Sequence, residues 1–111
     1  MRWPLLRVAV AERSMEPTLH PGDWLLVWRT SRVRPGQVVI ARHPSRPTLL
    51  LVKRAQRREP GGWWLRSDNP AAGGVDSRAF GAVAPGFIEG RVLLRYWPAG
   101  RRRPGPAPPG R

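Results

Sequence analysis

The chain has 111 residues, which suits one small domain with a modest core. It contains no cysteine, which excludes disulfides and thiolate metal sites, and its two histidines are too few for a zinc or nickel cage. We therefore expect no cofactor and no bound metal. The net charge of +13 suggests nucleic-acid or anionic-membrane binding. Because the basic residues are spread along the chain, we favour a general bias toward arginine instead.

Six short runs rich in Val, Leu and Trp, each bounded by Pro or Gly, predict β-strands. Frequent turns and few helices are expected from 12 Gly and 14 Pro, with one possible helical turn at Pro17–Leu19. We therefore predict an all-β fold, either a sheet or a partly closed barrel, whose core takes up most of the six tryptophans. The predicted strands are Leu5–Ala11, Trp24–Trp28, Gln37–Arg42, Thr48–Arg57, Trp63–Ser67 and Arg91–Trp97.

The two ends of the sequence bear on location and domain limits. No apolar run is long enough to cross a bilayer, and the first eleven residues are too short and too charged for a signal peptide. We expect a cytoplasmic protein, with peripheral membrane contact as the alternative. Residues 1–98 are predicted to fold as one domain, and the Arg/Pro/Gly-rich residues 99–111 to form a disordered basic tail.

Lys53 is the only lysine among the 20 basic residues, and it lies in an apolar run that begins at Leu49. An arginine keeps its proton in a protein, whereas a desolvated lysine can lose it. A neutral amine can act as general base for a serine hydroxyl. Alone, the residue could equally be a surface lysine kept by chance.

Ser14 is the serine best placed to be such a nucleophile. It ends the first predicted strand, and Pro17 forces a bend just after it. Its own backbone N–H can point at a developing oxyanion. Ser31 and Ser45 lie in Arg/Pro-rich loops and are expected to face water.

Four motifs in order resemble those of the type I signal peptidases. They cover about Val10 to Pro98. They are the serine box Ser14–Leu19 with Pro21–Asp23, the Arg34–Val39 strand, Val52–Arg54, and a last box of Ser67–Asn69 with Asp76–Arg78 and Phe80–Gly81.

The resemblance implies a small catalytic β-sheet with a Ser/Lys dyad and a protein precursor as substrate. Ser14 would be the nucleophile and oxyanion donor, and Lys53 the general base. Asp76 and Arg78 would form an ion pair that supports the last box. Met15 is predicted to contact substrate.

Three departures from the pattern leave parts of the site unassigned. The membrane anchor that ordinarily precedes the serine box is absent from this sequence. Glu12 replaces the hydroxyl that often supplies a second oxyanion donor, and Gly74 replaces the serine that often orients the lysine.

The short form with Glu12 resembles the maturation proteases of nickel-type superoxide dismutase, as do Gly62–Leu65 and Tyr96–Pro98. That group would make a nickel superoxide dismutase precursor the partner and substrate. The alternatives are a general signal peptidase, a self-cleaving repressor-type protease, an inactive protease scaffold, and a basic β-barrel module that binds nucleic acid. The last two do not need a lysine that can lose its proton.

Overall fold

The computed structural model describes residues 3–73, 75–98 and 103–108. Within these ranges, six strands account for most of the regular structure, and the one α-helix, α1 (Ser77–Phe80), is a single turn. Short 3₁₀ turns lie at Pro70–Ala72 and Pro85–Phe87. The strands are β1 (Leu5–Ala9), β2 (Trp24–Trp28), β3 (Val38–Arg42), β4 (Leu50–Glu59), β5 (Gly62–Arg66) and β6 (Ile88–Trp97).

All six strands form one antiparallel sheet in the order β1-β2-β6-β3-β4-β5. The long strand β6 lies between β2 and β3 and so joins the N-terminal hairpin to the rest of the sheet. Gly90 makes this close pairing possible, because a Cβ there would lie 2.5 Å from the Trp28 carbonyl oxygen. The described strands β1 and β5 are the two edges, so the sheet is open.

The central strand β3 is buried on both of its faces, since its residues 38 to 41 are all buried. Val38 and Ile40 belong to one apolar cluster, together with Met15 and Leu19 from the loop after β1. The alternate residues Val39 and Ala41 belong to a second cluster, which contains Trp63 and Leu65 of β5 among others. The two clusters fix β3 and β4 from opposite sides.

The predicted all-β class and all six predicted strands are confirmed, with ends that differ by up to three residues. Of the two predicted forms, the structure has the open sheet, since β1 and β5 do not pair with each other in the described part of the chain. Residues Pro17–Leu19 belong to a turn in which Leu19 N–H donates to Met15 O over 2.9 Å. Trp63 is a core residue as expected, but Trp24, Trp28 and Trp97 are exposed, so the prediction that the core takes up most of the tryptophans is wrong.

Part of the predicted tail lies among the described residues. In the segment 103–108, Gly105 O accepts a 2.9 Å hydrogen bond from Arg54 Nη1 of β4. Residues 99–102 and 109–111 lie outside the described residues, and disorder of the tail stays a prediction. No helix in the described part of the chain is long and apolar enough to cross a membrane.

Candidate active site

The loop between β1 and β2 carries Ser14 and is fastened at both ends. Val10 N–H donates to Asp23 O over 2.8 Å, and Gly22 N–H donates to Val10 O over 2.9 Å, so the loop closes on itself. The buried side chains of Met15 and Leu19 anchor it in the first apolar cluster. This frame holds Ser14 in place with only 6% of its surface exposed.

Lys53 reaches Ser14 from the middle of the sheet. Lys53 of β4 pairs with Val39 of β3, and only 2% of its surface is exposed. Its amine Nζ lies 3.1 Å from Ser14 Oγ and donates to Ser67 Oγ over 2.9 Å. Two hydroxyls thus meet one buried amine, which is the geometry needed to pass a proton from Ser14 to Lys53.

Burial lowers the pKa of Lys53 from the ordinary lysine value, because a charged ammonium loses its hydration. The negative charges of Asp76 and Glu12 act in the opposite direction, and Arg78 lowers the pKa further. On balance the pKa of Lys53 is lowered, which favours the neutral amine that a general base requires.

Ser67 is held in turn by Asp76. Asp76 is 1% exposed, and its Oδ2 accepts a 3.0 Å hydrogen bond from Ser67 N–H. Its Oδ1 accepts from Arg78 N–H and Arg78 Nε, so the predicted Asp76–Arg78 ion pair is present. Burial alone would raise the pKa of Asp76, but the hydrogen bonds from Arg78 and Ser67 outweigh burial and lower it. Asp76 therefore fixes the position of Ser67, in addition to the direct effect of its charge on the pKa of Lys53.

A second buried carboxylate ties three segments of the site together. Arg54, the neighbour of Lys53, donates to both oxygens of Asp68 over 3.1 and 2.6 Å. Thr18, from the serine loop, donates to Asp68 Oδ2 over 2.6 Å. Both members of the Arg54–Asp68 pair are 2% exposed in their side chains. A bidentate pair fixes orientation as well as distance, so it sets the serine loop against β4.

Asn69 completes this link to the serine loop. Its backbone N–H donates to Ser14 O over 2.7 Å, and its side chain Nδ2 donates to Arg13 O over 3.2 Å. Consecutive residues from Ser67 to Asn69 therefore contact the lysine amine, the Arg54 guanidinium and the serine backbone. These three contacts explain why the last sequence box lies beside the first.

The structure brings together Ser14, Lys53, Asp76 and Arg78, four of the five residues predicted for the site. The fifth, Met15, packs in the apolar core at 1% exposure, and its contact with substrate stays a prediction. Within the described residues, the Ser14 N–H donates to no acceptor, so it is available to an oxyanion. The predicted correspondence at Gly74 lies outside the described residues.

The residue that orients the lysine, Ser67, was not assigned by sequence reasoning. The family pattern has the orienting hydroxyl two residues before Asp76. In the structure, the hydroxyl that accepts from Lys53 Nζ belongs to Ser67, at the start of the Ser67–Asn69 motif. A serine that directly precedes the motif's acid, Asp68, was the available signal. For a metal, the described residues contain no group of three His, Asp or Glu side chains that could hold one.

Comparison with known proteins assigns the chain to a peptidase family. Residues 4–83 match the family described as Peptidase S24-like. The match covers well over half of the chain, including both Ser14 and Lys53. The chain therefore belongs to this peptidase family, which confirms the predicted resemblance to type I signal peptidases as far as a peptidase family. The narrower resemblance to the maturation proteases of nickel-type superoxide dismutase stays a prediction.

Several mitochondrial proteases are similar to the chain. Mitochondrial inner membrane protease subunit 1 of Xenopus tropicalis is 31% identical over 109 residues, which cover 77% of this chain and 65% of that protein. Mitochondrial ATP-independent inner membrane protease subunit 1b of Arabidopsis thaliana is 34% identical over 111 residues, 77% and 66% of the two chains. Mitochondrial inner membrane protease subunit 2 of Schizosaccharomyces pombe is 31% identical over 114 residues, which cover 80% of this chain and 63% of that protein. The chain thus spans slightly less than two thirds of the length of these relatives.

Proposed function

We propose that this protein is a serine endopeptidase that removes a leader peptide from a protein precursor, with Ser14 as nucleophile and Lys53 as general base. The observation that carries the proposal is the 3.1 Å separation of Lys53 Nζ from Ser14 Oγ inside the protein. Because burial lowers the pKa of that amine, the neutral form is favoured relative to an ordinary lysine. Membership of a peptidase family supports the same assignment.

The reaction follows from these positions. Ser14 Oγ attacks the scissile carbonyl carbon while its proton passes to neutral Lys53 Nζ, and the carbonyl oxygen becomes an oxyanion near the Ser14 N–H. The tetrahedral intermediate then breaks its C–N bond, and the departing amine takes the proton from Lys53. Lys53 Nζ, neutral again, then takes a proton from a water molecule, whose oxygen attacks the acyl carbon. The bond from that carbon to Ser14 Oγ breaks, and Ser14 Oγ takes the proton back from Lys53.

An extended substrate can bind along β4 beside the dyad. β4 pairs with β3 over its residues 50–54, but its pairing with β5 begins only at Arg54. On the β5 side, residues 50–53 therefore have no strand partner among the described residues. A peptide strand added to this edge would pass next to Lys53 and over Leu50, which is 44% exposed.

For the precursor we propose a nickel-type superoxide dismutase, whose new amino terminus binds the metal once the leader is removed. The support is the sequence resemblance at Glu12, at Gly62–Leu65 and at Tyr96–Pro98. In the structure, the negative charge of Glu12 acts on Lys53, so this residue contributes to the electrostatics of the site. Cleavage would then take place in the cytoplasm, where the precursor folds.

Co-expression tests the proposed activity and the proposed precursor together. A nickel superoxide dismutase precursor is produced with this protein, with Ser14→Ala, and with the exposed control Ser45→Ala, and its N-terminus is read by mass spectrometry. We expect trimming with the wild type and Ser45→Ala only. Trimming with Ser14→Ala would show that Ser14 is not the nucleophile.

A second candidate substrate is a leader removed at a membrane. It is favoured by the similarity to proteins named inner membrane proteases. An untouched dismutase precursor, together with Ser14-dependent cleavage of a secretory leader in the same cells, would select this candidate.

A further inference from the structure

A cleft of about 820 Å³ outside the dyad is lined by four arginines, Arg32, Arg34, Arg58 and Arg91. We call these four residues the arginine cleft. Three of them are exposed, and Arg91 is half-buried. Trp28, at 41% exposure, forms part of the wall beside them.

None of the four guanidinium groups forms an ion pair with a carboxylate in the part of the chain that the structure describes. Neighbouring arginines differ in this respect, since Arg42 is paired with Glu89 and Arg57 with Glu59. Four uncompensated like charges in one concave surface create a local positive potential that attracts anions. Guanidinium groups also match a carboxylate with two parallel hydrogen bonds.

The cleft lies on the sheet face to which Lys53 belongs. A β-bulge between Ala55 and Arg57 changes the alternation of β4, so that Ala55 is opposite Leu65 and Arg58 is opposite Trp63. Leu65 and Trp63 share a face of β5, which places Arg58 on the face of Ala55 and Lys53. Four residues of strand lie between Lys53 and Arg58, and the five steps, one of them within the bulge, span at most about 17 Å.

We propose that the arginine cleft binds an acidic segment of the polypeptide substrate, at least about five residues away from the scissile bond. This inference rests on the proposed peptidase function, because a chain cleaved at Ser14 would supply carboxylates at that distance. An extended peptide spans about 17 Å with five residues, so one substrate can occupy both places. The cleft would then lower KM for acidic precursors without taking part in the chemistry.

Binding is measured by calorimetry at low salt with unlabelled octaglutamate, with octaserine as the neutral control. The proteins are the wild type, Ser14→Ala, single alanine variants of Arg34, Arg58 and Arg91, their triple variant, and Arg46→Ala. Arg46 is exposed and does not line the cleft, so this control removes the same charge elsewhere. We expect octaglutamate alone to bind, about threefold more weakly to each single cleft variant and about 30-fold more weakly to the triple variant.

Equal weakening by Arg46→Ala, or unchanged binding to the triple variant, would overturn the inference. So would tighter binding of the oligonucleotide dT8 or of phosphatidylglycerol vesicles than of octaglutamate, if the triple variant abolished it. The catalytic proposal is tested separately, because Ser14→Ala is expected to bind octaglutamate like the wild type. Full binding by a protein that cleaves no leader would overturn the proposed function and leave the cleft intact.

Discussion

Replacing Ser67 by alanine removes one of the two hydroxyls that hold the Lys53 amine. The lost hydrogen bond is 2.9 Å long and fully buried, so no water replaces it directly. A hydrogen bond to a charged group contributes about 1.5–3 kcal/mol, and a loss of that size from the transition state is about a 10- to 100-fold lower rate. We expect kcat of Ser67→Ala to fall by this factor while KM stays close to the wild-type value.

The pH profile separates positioning from general structural damage. The Ser67 oxygen stabilises the ammonium form of Lys53 more than the amine, so its removal lowers the pKa of Lys53 further. The acidic limb of the kcat profile should therefore move to lower pH in Ser67→Ala. Ser67→Thr, which keeps a hydroxyl, should recover much of the rate, and the exposed control Ser45→Ala should match the wild type. Wild-type kcat with an unmoved acidic limb in Ser67→Ala would show that Ser67 does not position Lys53.

Three further changes test the supports of the site. Asp76→Asn removes the anionic acceptor of the Ser67 N–H, and the free energy of unfolding in urea should fall by about 1–3 kcal/mol. As pH rises toward 10.5, the free energy of unfolding of the wild type should increase relative to that of Lys53→Met. The pKa of Lys53 is lowered in the folded protein, so between that lowered pKa and 10.5 the unfolded chain binds more protons than the folded chain. Parallel curves of unfolding free energy against pH for the two proteins would contradict this. Truncation after Pro98 should change kcat by less than about twofold, since Arg54 Nη1 keeps a second acceptor besides Gly105; a larger loss at moderate salt would assign substrate binding to the tail.

The strands of the sheet could be predicted because each one has a local sequence pattern. Runs of Val, Leu and Trp between Pro and Gly mark each strand, and turns such as Pro60–Gly61 mark the ends. Strand order was not predicted, since it depends on β6 returning between β2 and β3 over a long sequence separation. Whether the sheet closes into a barrel depends on its curvature and stagger, which local patterns do not encode.

Ser14 and Lys53 could be found from the sequence because their chemistry restricts the residue type. A single lysine in an arginine-rich chain and a serine before a proline bend are visible without coordinates. Ser67 was assigned no role because many residue types are tolerated at a positioning site, and only the fold shows which hydroxyl reaches the amine.

The Arg54–Asp68 ion pair was not predicted from the sequence, for a related reason. One more arginine in a chain with 20 basic residues gives no signal. Burial distinguishes it, since Arg54 is 2% exposed while most arginines are on the surface. Burial of a charged pair follows from tertiary packing and is not written in the local sequence.

The central claim is that a neutral Lys53 amine takes the proton of Ser14. The most direct measurement is the rate of cleavage of one leader-peptide substrate against pH by the wild type, Lys53→Arg and Lys53→Ala. Arginine keeps the positive charge but does not lose its proton, so it is no base. We expect an acidic limb in the wild type that reports the pKa of Lys53, and no product from either variant at any pH. Appreciable cleavage by Lys53→Arg would contradict it.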